Sequence, residues 1–197
     1  MKLFVWALMF VLCGLPVLAS AGTTPITFTG IVDTAEVSFG DPDPNDGSAP
    51  FTGVYDESGF RVRPNGGTWF VAGDIGDPVG HVYSEGSSNE TVILSRLTGG
   101  DFILSQISLA PLQVGQTAQV FIEGRDGQGI RLYRYAVTVG YTGGFTTIRL
   151  DVVPAEYGSF LSPVASVWIA SAVNGFRLGG LAVESVSVKK SGGKRGR

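Results

Sequence analysis

Cysteine and histidine are almost absent from this sequence. Of its 197 residues one is a cysteine, Cys13, and one is a histidine, His81. Cys13 lies in an apolar N-terminal segment, so the chain that follows Ala21 has no thiol. This excludes disulfides, thiolate metal sites and cysteine nucleophiles from that part of the chain. A single histidine also excludes a cluster of histidine ligands.

Lysine is absent between Gly22 and Val188, where eight arginines oppose 17 acidic residues, a net charge of −9. The other basic residues are Lys2 and five in the segment 189–197. An acidic, lysine-free body argues against nucleic acid as a partner, because phosphates require a basic face. The same balance is compatible with calcium, with sugars, or with solubility outside the cell.

Catalytic motifs are missing as well. The sequence has no Gly-x-Ser-x-Gly elbow, no His-Glu-x-x-His, no phosphate-binding glycine loop and no Glu-x-Asp-x-x-Glu pattern of jelly-roll glucanases. His81 stands in a Gly/Pro-rich stretch and is interpreted as a surface histidine. The prediction is a non-enzyme. A small glycoside hydrolase or lyase stays open as an alternative, because a carboxylate pair about 5–10 Å apart cannot be identified from sequence.

The first 21 residues have the composition of an export signal. Lys2 precedes the almost wholly apolar run Leu3–Leu18, and Ala19-Ser20-Ala21 gives the small-x-small pattern of a cleavage site. The run is shorter than the roughly 20 residues that cross a bilayer. We therefore predict a cleaved signal peptide, a secreted protein in the extracellular space or periplasm, and no membrane span after cleavage.

Residues 22–188 predict a single all-β domain, followed by a disordered basic tail at 189–197. Short alternating runs are separated by glycine-rich turns, and no amphipathic helix of useful length occurs. This pattern predicts about eleven to thirteen strands in an antiparallel β-sandwich, preferably a jelly roll. Its organising unit is predicted to be a β-meander from Asp101 to Val152. In the last meander strand, Ile148, Leu150 and Val152 are expected on the buried face.

Several segments resemble secreted bacterial β-sandwich proteins of the type that often carries a Pro-Glu-Pro (PEP-CTERM) sorting segment. The matching segments are Tyr55-Asp56-Glu57-Ser58-Gly59-Phe60, Thr68-Trp69-Phe70, Gly99-Gly100-Asp101-Phe102 and Gly175-Phe176-Arg177-Leu178. Gly179 and Gly180 replace the Asp-Asn that often follows in these proteins, and the sequence contains no Pro-Glu-Pro motif. The sandwich of these proteins is similar to carbohydrate-binding modules, so the resemblance implies a non-catalytic extracellular binding domain.

A candidate metal site lies in the loop 40–48, where Asp41, Asp43, Asn45 and Asp46 precede Gly47. Oxygen side chains at alternate positions of a tight loop can converge on a hard cation such as calcium. The alternative is a solvated acidic turn, since the intervening prolines favour an extended backbone that separates the carboxylates. Asp74 and Asp77 form a weaker candidate in the stretch 73–89, which is predicted to be a long irregular loop.

Sugar binding requires exposed aromatic faces beside amide, carboxylate or guanidinium groups. Five aromatic residues are candidates: Trp69, Tyr83, Tyr141, Tyr157 and Trp168. Both tryptophans stand inside predicted strands, where the alternative is a place in the core, whereas Tyr83 and Tyr141 lie in or beside predicted loops. The sequence thus predicts a secreted protein that binds a polysaccharide or cell-surface polymer through loops. A structural surface or matrix protein is the alternative.

Overall fold

The computed structural model describes residues 22–28, 48–50, 53–66, 69–72, 81–84, 91–113, 115–140, 144–153, 155–156, 158–159 and 162–186. Within these ranges the chain forms strands and a single turn of 3-10 helix at Leu150–Val152. The strands are β1 (Thr23–Ile26), β2 (Ser48–Pro50), β3 (Tyr55–Glu57), β4 (Phe60–Pro64), β5 (Trp69–Ala72), β6 (His81–Ser84), β7 (Thr91–Arg96), β8 (Phe102–Pro111), β9 (Thr117–Arg125), β10 (Arg131–Gly140), β11 (Thr146–Arg149), β12 (Ser166–Val173) and β13 (Phe176–Ser185).

Two antiparallel sheets make up the domain. Sheet A has the order β11-β8-β13-β6-β5-β2, and β1 pairs with the C-terminal half of β13 beside β6. Sheet B has the order β10-β9-β12-β7-β4-β3. This architecture confirms the predicted antiparallel β-sandwich. In the part of the chain that the structure describes, no helix is long and apolar enough to span a bilayer.

Alternation decides which side chains enter the core. In β9, Ala118, Val120 and Ile122 are buried, and the residues between them are half-exposed. The two longest strands of sheet A add Phe102, Leu104, Ile107 and Leu109 from β8 and Phe176, Leu178, Leu181 and Val183 from β13. Because inward and outward residues alternate along most of each strand, the sequence pattern predicted these strands correctly.

The predicted β-meander is wrong, because residues 101–152 divide between the two sheets. β9 and β10 form a hairpin in sheet B, whereas β8 and β11 pair with each other in sheet A. One antiparallel pair is thus nested inside another, as in a jelly roll. Val152 is 70% exposed rather than buried, since β11 ends at Arg149 and the chain turns away in the 3-10 helix.

Other predicted elements also differ from the elements in the structure. β1 covers Thr23–Ile26 instead of 25–32, and the predicted strand 35–39 lies outside the described residues. The stretch 73–89 was predicted to be irregular, yet it contains β6, which pairs with β5 and β13. Glycine and serine residues flank this strand of only four residues, so the sequence pattern predicted a loop.

Candidate functional site

Two β-bulges shape the outer face of sheet A. In β13 the pairing with β8 shifts between Leu178 and Gly180, which leaves Gly179 as an extra residue. Between Ala182 and Val183 it shifts again, and here Ser105 of β8 is the extra residue. A bulge bends its strand and increases the local twist. A depression lies across the sheet at the segment between the two bulges.

This depression, here called the β13 groove, has a volume of about 520 Å³. It crosses four neighbouring strands, β11, β8, β13 and β1. Its lining consists of Pro25, Ile26, Thr27, Gln106, Ser108, Phe145, Thr147, Gly179, Gly180, Leu181 and Ala182. None of these described residues carries a formal charge. The volume lies within the range of small-ligand sites.

Small residues make the floor of the groove. A Cβ atom on Gly180 would lie 3.3 Å from the Ile26 carbonyl oxygen, and a Cβ atom on Gly179 would lie 2.6 Å from Cε1 of Phe145. The half-buried Phe145 ring therefore packs directly against the main chain of the bulge. Any larger residue at position 179 would displace this ring, so the glycine is required for the aromatic wall.

Phe145 is also approached by a cation at the end of the groove. The Arg177 guanidinium carbon lies 5.4 Å from the Phe145 ring centroid, within reach of a cation–π interaction. Arg177 Nε donates a hydrogen bond of 3.2 Å to the Pro111 carbonyl oxygen, which holds the side chain in place. The aromatic wall is thus supported by Gly179 on one side and by Arg177 beside it.

Amide and hydroxyl groups supply the polar chemistry. Ser108 and Thr147 face each other across the β8–β11 pair and share a hydrogen bond of 2.8 Å. The half-buried Gln106 side chain forms no hydrogen bond with any of the residues that the structure describes. Its amide offers two donors and an acceptor that a bound hydroxylated molecule can use.

An ion pair neutralises the cation opposite Gln106 in the β8–β11 pair. Arg149 is the cross-strand partner of Gln106, and Arg149 Nε donates a hydrogen bond of 3.1 Å to Asp151 Oδ1. A second hydrogen bond joins Arg149 Nη2 to Asp151 Oδ2. These hydrogen bonds lower the pKa of Asp151 below its ordinary value. The carboxylate stays ionised at neutral pH, and this pair therefore adds no net charge to the end of the groove.

The outer face of sheet B has a different chemistry. Trp168 is half-buried there, and the Arg125 guanidinium carbon lies 4.0 Å from its ring centroid. Glu123 pairs with Arg125 at 2.9 Å and with Arg131 at 3.1 Å. Arg131 and Arg134 are three positions apart, so a regular strand would place them on opposite faces. They share this face because Arg131 begins β10 and a register shift follows it.

The two tryptophans predicted as site candidates lie in different places. Trp69 is 2% exposed and packs edge-on against Phe176 with ring centroids 5.6 Å apart. It is therefore a core residue, and its predicted place in a binding face is wrong. Trp168 does lie on an outer face, but on sheet B and away from the β13 groove.

The remaining predicted site residues are not brought together by the described structure. Tyr83 lies in β6 with its backbone opposite Arg177, so it belongs to a strand rather than a loop. Tyr141 and Tyr157 lie outside the described residues, as do the calcium candidates Asp41, Asp43, Asn45 and Asp46, and the weaker pair Asp74 and Asp77. Among the described residues, no group of three or more His, Cys, Asp or Glu side chains could hold a metal ion. The calcium site stays a prediction.

The residues that line the groove were not recognised as a site from the sequence. Phe145, Gln106 and Ser108 were predicted only as parts of strands. One signal was available, since Gly179-Gly180 interrupts the alternation of β13 at the position of the bulge. The cross-strand partners of these glycines could not be identified without the register.

No family model matches the chain, and no curated protein matches it. Among solved structures, the chain is similar to a DUF4465 family protein from Bacteroides caccae, with a TM-score of 0.50, 12% identity, and coverage of 83% of this chain and 100% of that one. It is also similar to a family 29 carbohydrate-binding module, with a TM-score of 0.41, 13% identity, and coverage of 70% and 91%. At these identities the similarity describes the fold alone.

Proposed function

We propose that this protein is a secreted, non-catalytic β-sandwich module that binds an uncharged stretch of an extracellular glycan or exopolymer in the β13 groove. The observation that carries the proposal is the described lining of the groove, which combines an aromatic ring, an amide and hydroxyl groups and includes no charged side chain. Sugar rings present apolar C–H faces and many hydroxyls, and such a surface complements both.

The direction of the groove supports a chain-like ligand. It crosses four strands, and neighbouring strands lie about 4.8 Å apart, so its floor extends roughly 14 Å. The aromatic wall at Phe145 precedes β11, and the Gln106 amide lies in β8. The elongated floor suits a short run of linked sugar rings better than a single small molecule.

The lining does not favour hydrolysis. Glycoside hydrolases use two carboxylates that flank the scissile bond. Among the described residues, neither Asp nor Glu lines the groove, so a glycosidase acting here would have no acid or base from them. Binding of a neutral polysaccharide requires only the aromatic ring, the amide and the hydroxyl groups that line the groove.

Affinity electrophoresis against a panel of soluble neutral polysaccharides tests the proposal. Ala182→Leu fills the floor of the groove without adding charge or hydrogen-bonding groups, and we expect it to abolish the retardation shown by the wild type. Ala136→Leu is the matched control, because Ala136 is a half-buried outward residue of sheet B. Retardation that survives Ala182→Leu, or that is lost equally in both variants, would contradict the assignment of the groove.

Secretion and calcium binding are part of the proposal and have separate tests. N-terminal sequencing of the exported protein should give Gly22 as its first residue. A ligand bound only by the native state must stabilise it, so excess calcium should raise the melting temperature relative to chelator. An unchanged melting temperature would argue against a structural calcium site at Asp41–Asp46.

A further inference from the structure

Arginine is unevenly distributed over the domain. Five of the eight arginines between residues 22 and 188 lie on the outer face of sheet B or at its edge, namely Arg61, Arg63, Arg125, Arg131 and Arg134. Three carboxylates pair with members of this group: Asp56, Glu123 and Glu156. These side chains together have a net charge of +2, although residues 22–188 carry −9.

A single row of cross-strand neighbours runs across this face. Arg134 pairs with Glu123, Glu123 with Trp168, Trp168 with Ile93, and Ile93 with Arg63. Five adjacent strands contribute one residue each, so the row spans roughly 19 Å at about 4.8 Å per strand. A cation thus stands at each end, and a tryptophan lies at the centre.

Two guanidinium groups are held in place by aromatic rings. The guanidinium carbon of Arg125 lies 4.0 Å from the ring centroid of Trp168, and that of Arg134 lies 3.6 Å from the ring centroid of Phe121. A stacked guanidinium keeps the N–H donors at its edge free to bind a carboxylate or sulfate in a bidentate manner. Stacking also reduces the conformational entropy that each side chain would lose on binding a ligand.

The donors outnumber the acceptors on this face. The Arg134 side chain has ion-pair contacts with Glu123 at 3.7 Å and Glu156 at 3.3 Å but no hydrogen bond to a described residue. Arg63 is exposed, and its side chain has neither a hydrogen bond nor an ion pair within the described part of the chain. Arg134 Nε is buried, but the side chain is 29% exposed. The terminal nitrogens of each guanidinium carry the other four of its five N–H groups, so donors at both ends of the row are available to a ligand.

We propose that the outer face of sheet B is a second binding site, separate from the β13 groove, for an acidic polysaccharide. The anionic groups of the polymer, carboxylate or sulfate, would bind Arg134 and Arg63, and a sugar ring would lie beside Trp168 between them. The excess positive charge selects an anionic ligand, and the extended row selects a polymer chain over a small ion.

The experiment measures dissociation constants of the full chain by isothermal titration at low and at physiological salt. The probes are polygalacturonate, its fully methyl-esterified form, dextran sulfate, dextran and duplex DNA. We expect binding to at least one acidic polysaccharide that weakens as salt rises, and no binding to the esterified polymer or to dextran at this face. Polygalacturonate and dextran sulfate distinguish carboxylate from sulfate recognition.

Variants assign the binding to the proposed row. Arg63→Gln removes a side chain without a described partner, so it should leave the melting temperature unchanged while weakening acidic-polymer binding about tenfold. Arg134→Gln should weaken it similarly. Arg149→Gln, on the outer face of sheet A, is the matched loss of one positive charge and should leave affinity for the acidic polymer within about twofold.

Four results would overturn the proposal. The first is no binding of either acidic polysaccharide at low salt. The second is equal affinity for polygalacturonate and its methyl ester together with no binding of dextran sulfate. The third is an equal loss in Arg63→Gln and Arg149→Gln, which would reflect net charge alone, and the fourth is preferential binding of duplex DNA. Because Ala182→Leu should retain acidic-polymer binding, failure of the groove and failure of this second site are distinguishable.

Discussion

Glu57 is expected to be the polar residue that contributes most to the stability of this domain. Its carboxylate accepts four hydrogen bonds: from Thr27 N at 2.9 Å, Phe28 N at 3.0 Å, Thr27 Oγ1 at 2.9 Å and the Tyr55 hydroxyl at 2.9 Å. Glu57 ends β3 at the edge of sheet B, and Thr27 directly follows β1 of sheet A. One side chain thus joins the two sheets at their edge.

The backbone that Glu57 holds is unfavourable by itself. Phe28 has φ of +57° and is fully buried, with its ring centroid 5.3 Å from that of Tyr55. A non-glycine residue in this region costs about 1–3 kcal/mol and persists only where its surroundings fix it. The hydrogen bond from Phe28 N to the Glu57 carboxylate is one of the contacts that fix it.

Glu57→Ala should therefore lower the free energy of unfolding by about 3 kcal/mol or more, because it leaves several partly buried donors without an acceptor. Glu57→Gln should cost only about 1 kcal/mol. Three of the four donors converge on Oε2, and the amide oxygen of glutamine can take that place. Its NH2 group can then donate to Thr27 Oγ1, so the geometry survives.

Urea denaturation followed by tryptophan fluorescence measures both values. Asp56→Ala is the matched control, since Asp56 is the preceding residue of the same strand and forms an exposed ion pair with Arg61. Exposed pairs of this kind contribute little. An Ala variant within about 0.5 kcal/mol of the wild type, or a Gln variant as unstable as the Ala variant, would refute this role of Glu57.

Three further predictions concern the core and the surface. In urea denaturation, Gly124→Ala should destabilise by about 1–3 kcal/mol, because a Cβ there would lie 2.3 Å from Tyr133 Cε1, whereas Gly127→Ala, in open space, should not. Burial raises the pKa of Tyr133, whose hydroxyl has no hydrogen-bond partner among the described residues. Tyr133→Phe should therefore be neutral or stabilising at pH 7, and it should reduce the loss of stability that begins as pH rises past about 10. The hydrogen bond from Arg61 lowers the pKa of Asp56, so the contribution of this pair to stability is present above about pH 4 and is lost as pH falls through the lowered pKa. In Arg61→Gln an NMR titration should show the pKa of Asp56 returning toward its usual value.

Alternation predicted the strands but not their partners. The period-two pattern in β8 and β11 identifies an inward and an outward face, yet it contains no information on which sheet a strand joins. The assignment of these strands to one meander failed for this reason. The placement of Trp168 could be predicted from the sequence. Its neighbours Val167 and Ile169 are apolar and buried, so alternation puts Trp168 on the outer face.

The candidate site could be recognised only from the strand register, which a single sequence does not specify. Gly179-Gly180 was visible as a break in β13, but the pairing with Ser108 and the contact with Phe145 follow from a bulge. Likewise, strict alternation would place Arg131 and Arg134, three residues apart, on opposite faces, but the register shift at the start of β10 allows both to reach Glu123. A bulge inverts the inward and outward pattern locally, so strict alternation fails where these residues lie.

The most direct test of the groove is an NMR titration of the protein with a panel of neutral oligosaccharides, read as amide shift changes residue by residue. We predict that a binding oligosaccharide shifts the amides of Gly180, Ala182, Gln106 and Ser108, and that Ala182→Leu removes these changes. No shift with any neutral oligosaccharide, or shifts confined to residues away from the β13 groove, would contradict the proposed binding site.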